Sequence, residues 1–242
     1  MQKLSTYYTY THDTMQRIEV GVNLELETVS DTRMLQTLLW LFIPCGTIQK
    51  EQLTPLKEML SEELLHHLHA EFAGFRIVDT WLELYFYAPS AKKFEPVVAS
   101  LLAEQYPYEI GSYKDAKQKF YADELYPDMK QQLQIHNNDV IMQLREAGDQ
   151  SSCTREVEHY LFFPTQSNAK RALRKAVELQ FTCKNEYIDD TRELRYIITL
   201  TKSHSIESAH IHAITEALFD IALEEHGIYE GWSTTLVEKN SL

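Results

Sequence analysis

The sequence predicts an α+β protein made of two tandem ferredoxin-like (βαββαβ) α/β sandwiches, joined by a helix and a short linker. Three observations predict it. Short alternating or doubly apolar runs are interleaved with apolar stripes at helical spacing. The succession strand, helix, strand, strand, helix, strand occurs twice. A polar break, Gly148-Asp149-Gln150-Ser151-Ser152, lies between the two occurrences and sets the expected domains at 1–148 and 149–242.

The first half opens with alternation: Ile18, Val20, Val22, Leu24 and Leu26 on one side, and Glu19, Asn23, Glu25 and Glu27 on the other. That pattern predicts a half-buried strand. Leu38-Leu39-Trp40-Leu41-Phe42-Ile43 is apolar on both sides and reads as a strand buried on both faces. Leu53, Leu56, Leu60, Leu64 and Leu68 mark a helix with Pro55 in its first turn, so Thr54 is the expected N-cap, with an earlier start at Thr47 as the alternative. Phe75–Val78 and Leu82–Tyr87 follow as a hairpin. A helix with Phe94, Val97, Val98, Leu101 and Leu102 on one face comes next, then a strand over Tyr106–Tyr113.

Residues 128–147 predict a helix with Met129, Leu133, Val140, Ile141 and Leu144 inward. Asn137-Asn138-Asp139 weakens its middle, because these side chains compete with the backbone for hydrogen bonds. Gly148 is a natural stop. In the second half, strands are expected at Val157–Phe163, Gln180–Tyr187, Leu194–Thr201 and Tyr229–Val237. Helices are expected after Ser167 and along Ile206, Ala213, Leu218 and Ile221, the latter stopping at Gly227.

A βαββαβ unit carries both helices on one sheet face and leaves the other open. Several strands here are apolar on both sides, among them Tyr160-Leu161-Phe162-Phe163. Each open face is therefore expected to be covered, by the chain itself or by another copy or partner, so the protein is a monomer or a homodimer through those faces.

The chain has 242 residues, 44% of them hydrophobic, which excludes wholesale disorder. Its 23 Lys and Arg against 36 Asp and Glu argue against bulk attraction to phosphate backbones. Cys45, Cys153 and Cys183 are odd in number and widely spaced, which predicts reduced thiols in a cytoplasmic compartment. The first residues lack the apolar stretch of a signal peptide, and the longest apolar run, Leu38–Pro44, is far too short to span a bilayer. No membrane partner and no cofactor are expected.

No catalytic motif stands out. His66, His67 and His69 with Glu62 and Glu63 form a dense cluster on the predicted helix, and a metal-dependent hydrolase using it is the rival reading. The order needed to place two ligands and a base together is missing, and the cluster reads rather as a solvated polar helix face. His204, His210 and His212 are a looser group. Lys170-Arg171-Ala172-Leu173-Arg174-Lys175 is the one basic cluster and underlies a second alternative, single-stranded RNA binding. Tyr160-Leu161-Phe162-Phe163 lacks the glycine and positive charge of an aromatic RNA platform, so direct nucleic-acid contact is not expected. In Tyr229-Glu230-Gly231-Trp232-Ser233-Thr234, Gly231 permits unusual backbone geometry, and Trp232 is either core or a binding anchor.

From Thr154-Arg155-Glu156-Val157-Glu158-His159-Tyr160 to Tyr229-Glu230-Gly231-Trp232-Ser233-Thr234, the second half resembles the regulator of ribonuclease E activity B (RraB, ribonuclease E inhibitor) family. That resemblance implies a small acidic cytoplasmic protein of ferredoxin-like fold that binds an endoribonuclease and restrains it without catalysis of its own. Tyr229, Glu230, Gly231, Trp232, Glu158 and His159 are the partner-binding candidates it offers. The first half is similar to domain-of-unknown-function family 695 in Leu39-Trp40-Leu41-Phe42-Ile43-Pro44, Leu84-Tyr85-Phe86-Tyr87 and Phe120-Tyr121-Ala122-Asp123-Glu124-Leu125-Tyr126-Pro127. This second similarity implies a fold and nothing more.

Overall fold

In a computed structural model, residues 7–11, 17–28 and 35–238 are described; residues 1–6, where a signal peptide is not expected, lie outside them. The chain divides into two compact units, Met1–Gln131 and Gln132–Leu242. Both are mixed helix and sheet with every strand pair antiparallel, an α+β protein as expected.

The first unit contains β1 (Tyr7–Thr11), β2 (Arg17–Val22), β3 (Thr37–Pro44), α1 (Leu53–Leu68), β4 (Glu71–Val78), β5 (Trp81–Ala88), α2 (Phe94–Leu102) and β6 (Glu109–Lys114). Its six-stranded sheet has the order β1-β2-β4-β5-β3-β6. Leu39, Leu41 and Ile43 of β3 and Leu82, Leu84 and Phe86 of β5 meet Leu56, Leu60 and Leu64 of α1 and Val98 and Leu102 of α2 in one core.

Several local expectations shift; β1 is an additional strand, and β4 begins at Glu71 rather than Phe75. The first alternating strand ends at Val22, because the Asn23 side chain accepts from the Glu25 N–H and donates to the Phe72 carbonyl. The chain then curls into a 3-10 turn, Leu24–Thr28, that still buries Leu26. Helix α1 begins at Leu53 with Gln52 as a cap that makes no side-chain bond, so Thr54 lies inside the helix. Pro55 is tolerated there because a first-turn N–H has no intrahelical partner anyway. The last strand starts at Glu109 rather than Tyr106. In it, Gly111 leaves room for Trp40, whose ring lies 2.2 Å from where a β-carbon would stand.

The face of this sheet away from the helices is covered by the unit's own chain. Tyr85 and Tyr87 of β5 point there, and the Tyr87 hydroxyl donates to Asp115 at 2.7 Å and accepts from the Tyr121 N–H at 3.2 Å. Asp115 also accepts from the N–H groups of Lys119 and Phe120. Phe120 packs on Tyr85, and Tyr121 and Leu125 are buried. Arg76, bonded to Glu83, Tyr85 and Glu124, closes the rim.

The second unit contains most of α3 (Met129–Glu146), then β7 (Arg155–Phe163), α4 (Gln166–Glu178), β8 (Thr182–Ile188), β9 (Tyr196–His204), α5 (Ser208–Glu224) and β10 (Ile228–Thr234). The sheet order is β10-β7-β9-β8. Leu161, Phe163, Ile198 and Leu200 meet Ala169, Ala172 and Ala176 of α4 and Ile214, Leu218 and Ile221 of α5. The small residues on α4 let it lie close to the sheet. Thr165 caps α4, accepting from the Asn168 N–H.

The division between the units falls at Gln131/Gln132 rather than 148/149. Helix α3, placed with the first half by the sequence, packs through Ile141, Val140 and Leu144 on Val157, Ile206, Ile211 and Trp232. Residues 149–152, read as a linker, are tied down. Asp149 is ion-paired with the buried Arg155 and accepts from the Val237 N–H, while Arg155 also bonds the carbonyls of Gln150, Cys153 and Thr235. The polar run is held both by Arg155, a few residues on, and by the Val237 backbone more than 80 residues on.

Candidate functional site

The first and last strands of the second unit are neighbours in its sheet, and this pairing joins the two ends of the sequence signature. Trp232 stands opposite His159 and Tyr229 opposite Leu161, with a bulge between Tyr229 and Gly231. The bulge absorbs Glu230, so Tyr229 and Trp232 both turn to the helix side although they are three residues apart. Gly231 at φ 143° makes that geometry accessible, a backbone state closed to side-chain-bearing residues.

His159 is wholly buried between strands. Its Nδ1 lies 2.9 Å from the Tyr229 hydroxyl and its Nε2 3.2 Å from His204 Nε2. His204 Nδ1 lies 2.8 Å from the Ser205 carbonyl, which can only accept. For neutral imidazoles the directions then follow: His204 Nδ1 donates to Ser205, His159 Nε2 donates to His204, and Tyr229 donates to His159. Desolvation by burial pushes His159 down to about 3, with proximity to His204 and Lys202 lowering it further. Burial also lowers His204 and raises the Tyr229 phenol well above its ordinary value. The chain of bonds is therefore neutral and satisfied at pH 7. It is a structural solution to buried polar groups rather than an acid–base pair poised for chemistry.

Trp232 is 6% exposed and donates its indole N–H to Asn137 at 2.7 Å. Asn137, fully buried, donates in turn to Thr215 at 2.7 Å, and His212 lies against Asn137 and Asn138. The asparagines read from sequence as a weakness in α3 are thus its anchor. With its oxygen and nitrogen both engaged, Asn137 fixes the register of α3 against α5 and β10. His204 is offered by the sequence only within a loose histidine group, and Asn137 only as a weak point of its helix. A pair of buried-type signatures on the first and last strands was the available signal, since those strands adjoin in a βαββαβ sheet.

The remaining candidates lie outward. Glu230 is exposed. Glu158 points to the sheet face away from the helices, where Lys184 bonds it at 2.5 Å and Glu156 at 3.2 Å. The bond from Lys184 holds the Glu158 carboxyl below its ordinary range. In the basic cluster, Arg171 bonds Glu225 at 2.6 Å, and Lys175 bonds Glu224 and Glu225. Four residues of opposite charge therefore lock α4 to the end of α5. His66, His67 and His69 are exposed on and just after α1; His67 faces Glu63 at 3.3 Å, and no metal-binding group of three His, Cys, Asp or Glu occurs among the described residues. Cys45, Cys153 and Cys183 are free, and burial pushes the Cys45 thiol up. No helix among the described residues is long and apolar enough to cross a membrane.

Fold and site together define a protein whose most distinctive residues build a core and whose recognisable surface is polar and charged. Residues 134–234 match the family described as regulator of ribonuclease activity B, and residues 46–126 match a family of unknown function, DUF695. The second unit is thus similar to a regulator of ribonuclease activity, and the α3 segment that the packing assigns to it falls almost wholly inside that match. No curated protein matches the chain. Among solved structures, a protein assigned as a glycine cleavage system transcriptional repressor is 9% identical, covering 84% of this chain and 98% of its own, at a TM-score of 0.26. An unknown protein from Galdieria sulphuraria gives the same identity and coverages at 0.24.

Proposed function

We propose that the protein is a non-enzymatic, cytoplasmic regulator that binds an endoribonuclease of the ribonuclease E type and lowers its activity, with both units in the ferredoxin-like arrangement. The match of residues 134–234 to the ribonuclease regulator family carries this reading. The strand orders support the fold assignment: in each unit the first and third strands of the βαββαβ run are central, with the fourth beside the first. The six candidate residues divide the work. His159, Tyr229, Gly231 and Trp232 hold β7, β10 and α3 in register, and Glu158 and Glu230 present carboxylates on the outside to a basic surface of the enzyme.

The test is titration of purified protein against purified ribonuclease E, with calorimetry and cleavage of a defined RNA. Saturable binding with slowed cleavage is expected, weakened by the double substitution Glu158→Lys and Glu230→Lys. Absence of binding at tens of micromolar together with unchanged cleavage would overturn the reading.

A further inference from the structure

Strand β8 closes one end of the second sheet and, among the described residues, pairs only with β9. Every residue of it except Cys183 is exposed. Bare strand edges are ordinarily guarded, because their free N–H and C=O groups template pairing with another chain. Here the guard is partial. A bulge between Cys183 and Asn185 protects the first half, with Lys184 drawn away onto Glu156 and Glu158. Asn185–Ile188 pairs regularly with β9 and, among the described residues, no strand pairs its other side; Tyr187 is 49% and Ile188 56% exposed there.

Two grooves run beside this edge and share Glu186. One, of about 550 Å³, is lined by Lys170, Arg171, Leu173 and Arg174 of α4. The other, of about 190 Å³, is lined by Ala169, Ile188 and Tyr196. Glu225 takes up Arg171, but Lys170 and Arg174 are exposed and have no ion pair among the described residues. They stand one helical turn apart, near enough for one extended segment to meet both. In a chain of net charge -13, this strip is locally positive.

We propose that an extended, acidic segment of another protein adds as a strand to Asn185–Ile188, setting carboxylates against Lys170 and Arg174 and an apolar side chain in the groove at Ile188 and Tyr196. Strand addition supplies affinity through main-chain hydrogen bonds, and the flanking grooves supply selectivity. A nucleic acid would answer the two cations but not the strand edge or the apolar groove. The inference rests on the proposed function only in taking the protein to work by binding another chain, and it names a surface distinct from Glu158 and Glu230.

The test is an NMR titration of the full chain with a 12-residue peptide alternating Glu with Val and Thr. Controls are the same peptide with Lys for Glu, the acidic peptide with alternate amides N-methylated, and a 12-nucleotide oligouridylate. Saturable shifts confined to Asn185–Ile188, Lys170 and Arg174 are expected with the acidic peptide alone. Binding should weaken about tenfold in Lys170→Glu/Arg174→Glu, the loss of two exposed charge contacts, and should vanish on N-methylation. No saturation at millimolar peptide, equal response to the basic peptide, indifference to N-methylation, or preferential occupation by the oligouridylate would each overturn it. If the Lys170/Arg174 variant still binds and restrains ribonuclease E while the peptide fails, the regulator reading stands and the strand-addition site falls.

Discussion

The two units share a strand order and complete it differently. In the first, the chain that leaves β6 turns back over the sheet face away from the helices, and Asp115, Tyr121 and Leu125 cover Tyr85 and Tyr87. In the second, the additional element is α3, which widens the helix layer beside α5 instead. Both additions are fastened by a buried polar residue at the seam, Asp115 in one and Asn137 in the other. A βαββαβ sheet leaves more apolar surface than two helices cover, and what is added is keyed in place by a hydrogen-bonded polar group rather than by apolar contact alone.

The largest effect should come from removing the second seam. Trp232→Ala empties a core position and leaves Asn137 without its indole donor, so unfolding in denaturant should show a loss of about 3–5 kcal/mol. A loss below about 1 kcal/mol would mean that α3 does not depend on this contact. The first seam should break more gently. Asp115→Ala strands the Tyr87 hydroxyl and the N–H groups of Lys119 and Phe120, and a cost of about 3 kcal/mol is expected by the same measurement.

Acid should tell the two seams apart. His159 binds its proton only near pH 3 when folded and near 6.5 when unfolded, so the unfolded chain takes up more protons between those values. Stability is therefore complete above about pH 6.5 and declines as pH falls towards 3, by about 2 kcal/mol at pH 5 from His159, at about 1.4 kcal/mol per unit. Asp115 behaves differently. Burial acts to raise it, but the bonds from Tyr87 and from the Phe120 and Lys119 N–H groups prevail and hold it low. Its contribution persists above its ordinary value near 4 and fades only as pH drops through its folded value. Denaturation series at pH 7, 5 and 3.5 should find a slope between 7 and 5 that is reduced in His159→Gln, with a remainder from the buried His204 and His212, and that persists in full in Asp115→Asn. Smallest of all, His67→Ala should change stability by a few tenths of a kcal/mol, the worth of an exposed i,i+4 pair. A zinc-dependent rise in melting temperature abolished by that substitution would revive the metal reading.

Much of this was legible beforehand. The helical stripe Leu56, Leu60, Leu64 and the run Leu39, Leu41, Ile43 named their own partners in the core by period alone. The strand ending at Val22 was misjudged because alternation continues through Leu26 while Asn23 bends the backbone beneath it. The expected boundary at 148/149 and the compact units at 131/132 differ because polarity marks exposure only on average: Asp149-Gln150-Ser151 is polar and yet half-buried through Arg155. In the candidate site, Tyr229, Gly231, Trp232 and His159 were all singled out, but their mutual arrangement depends on a bulge that no spacing rule foretells.

By itself the sequence determined most of the segments that become strands and helices, though not the strand Tyr7–Thr11, which side of each is apolar, and that two similar runs of elements follow one another. These are properties of residues a few positions apart, where period and propensity act directly. Only the tertiary structure decided that α3 belongs to the second unit, that Asn137 answers Trp232, and that His159 finds Tyr229 and His204. Those pairings span some 45 to 95 residues, and a buried polar group declares its partner only once the chain has closed around it.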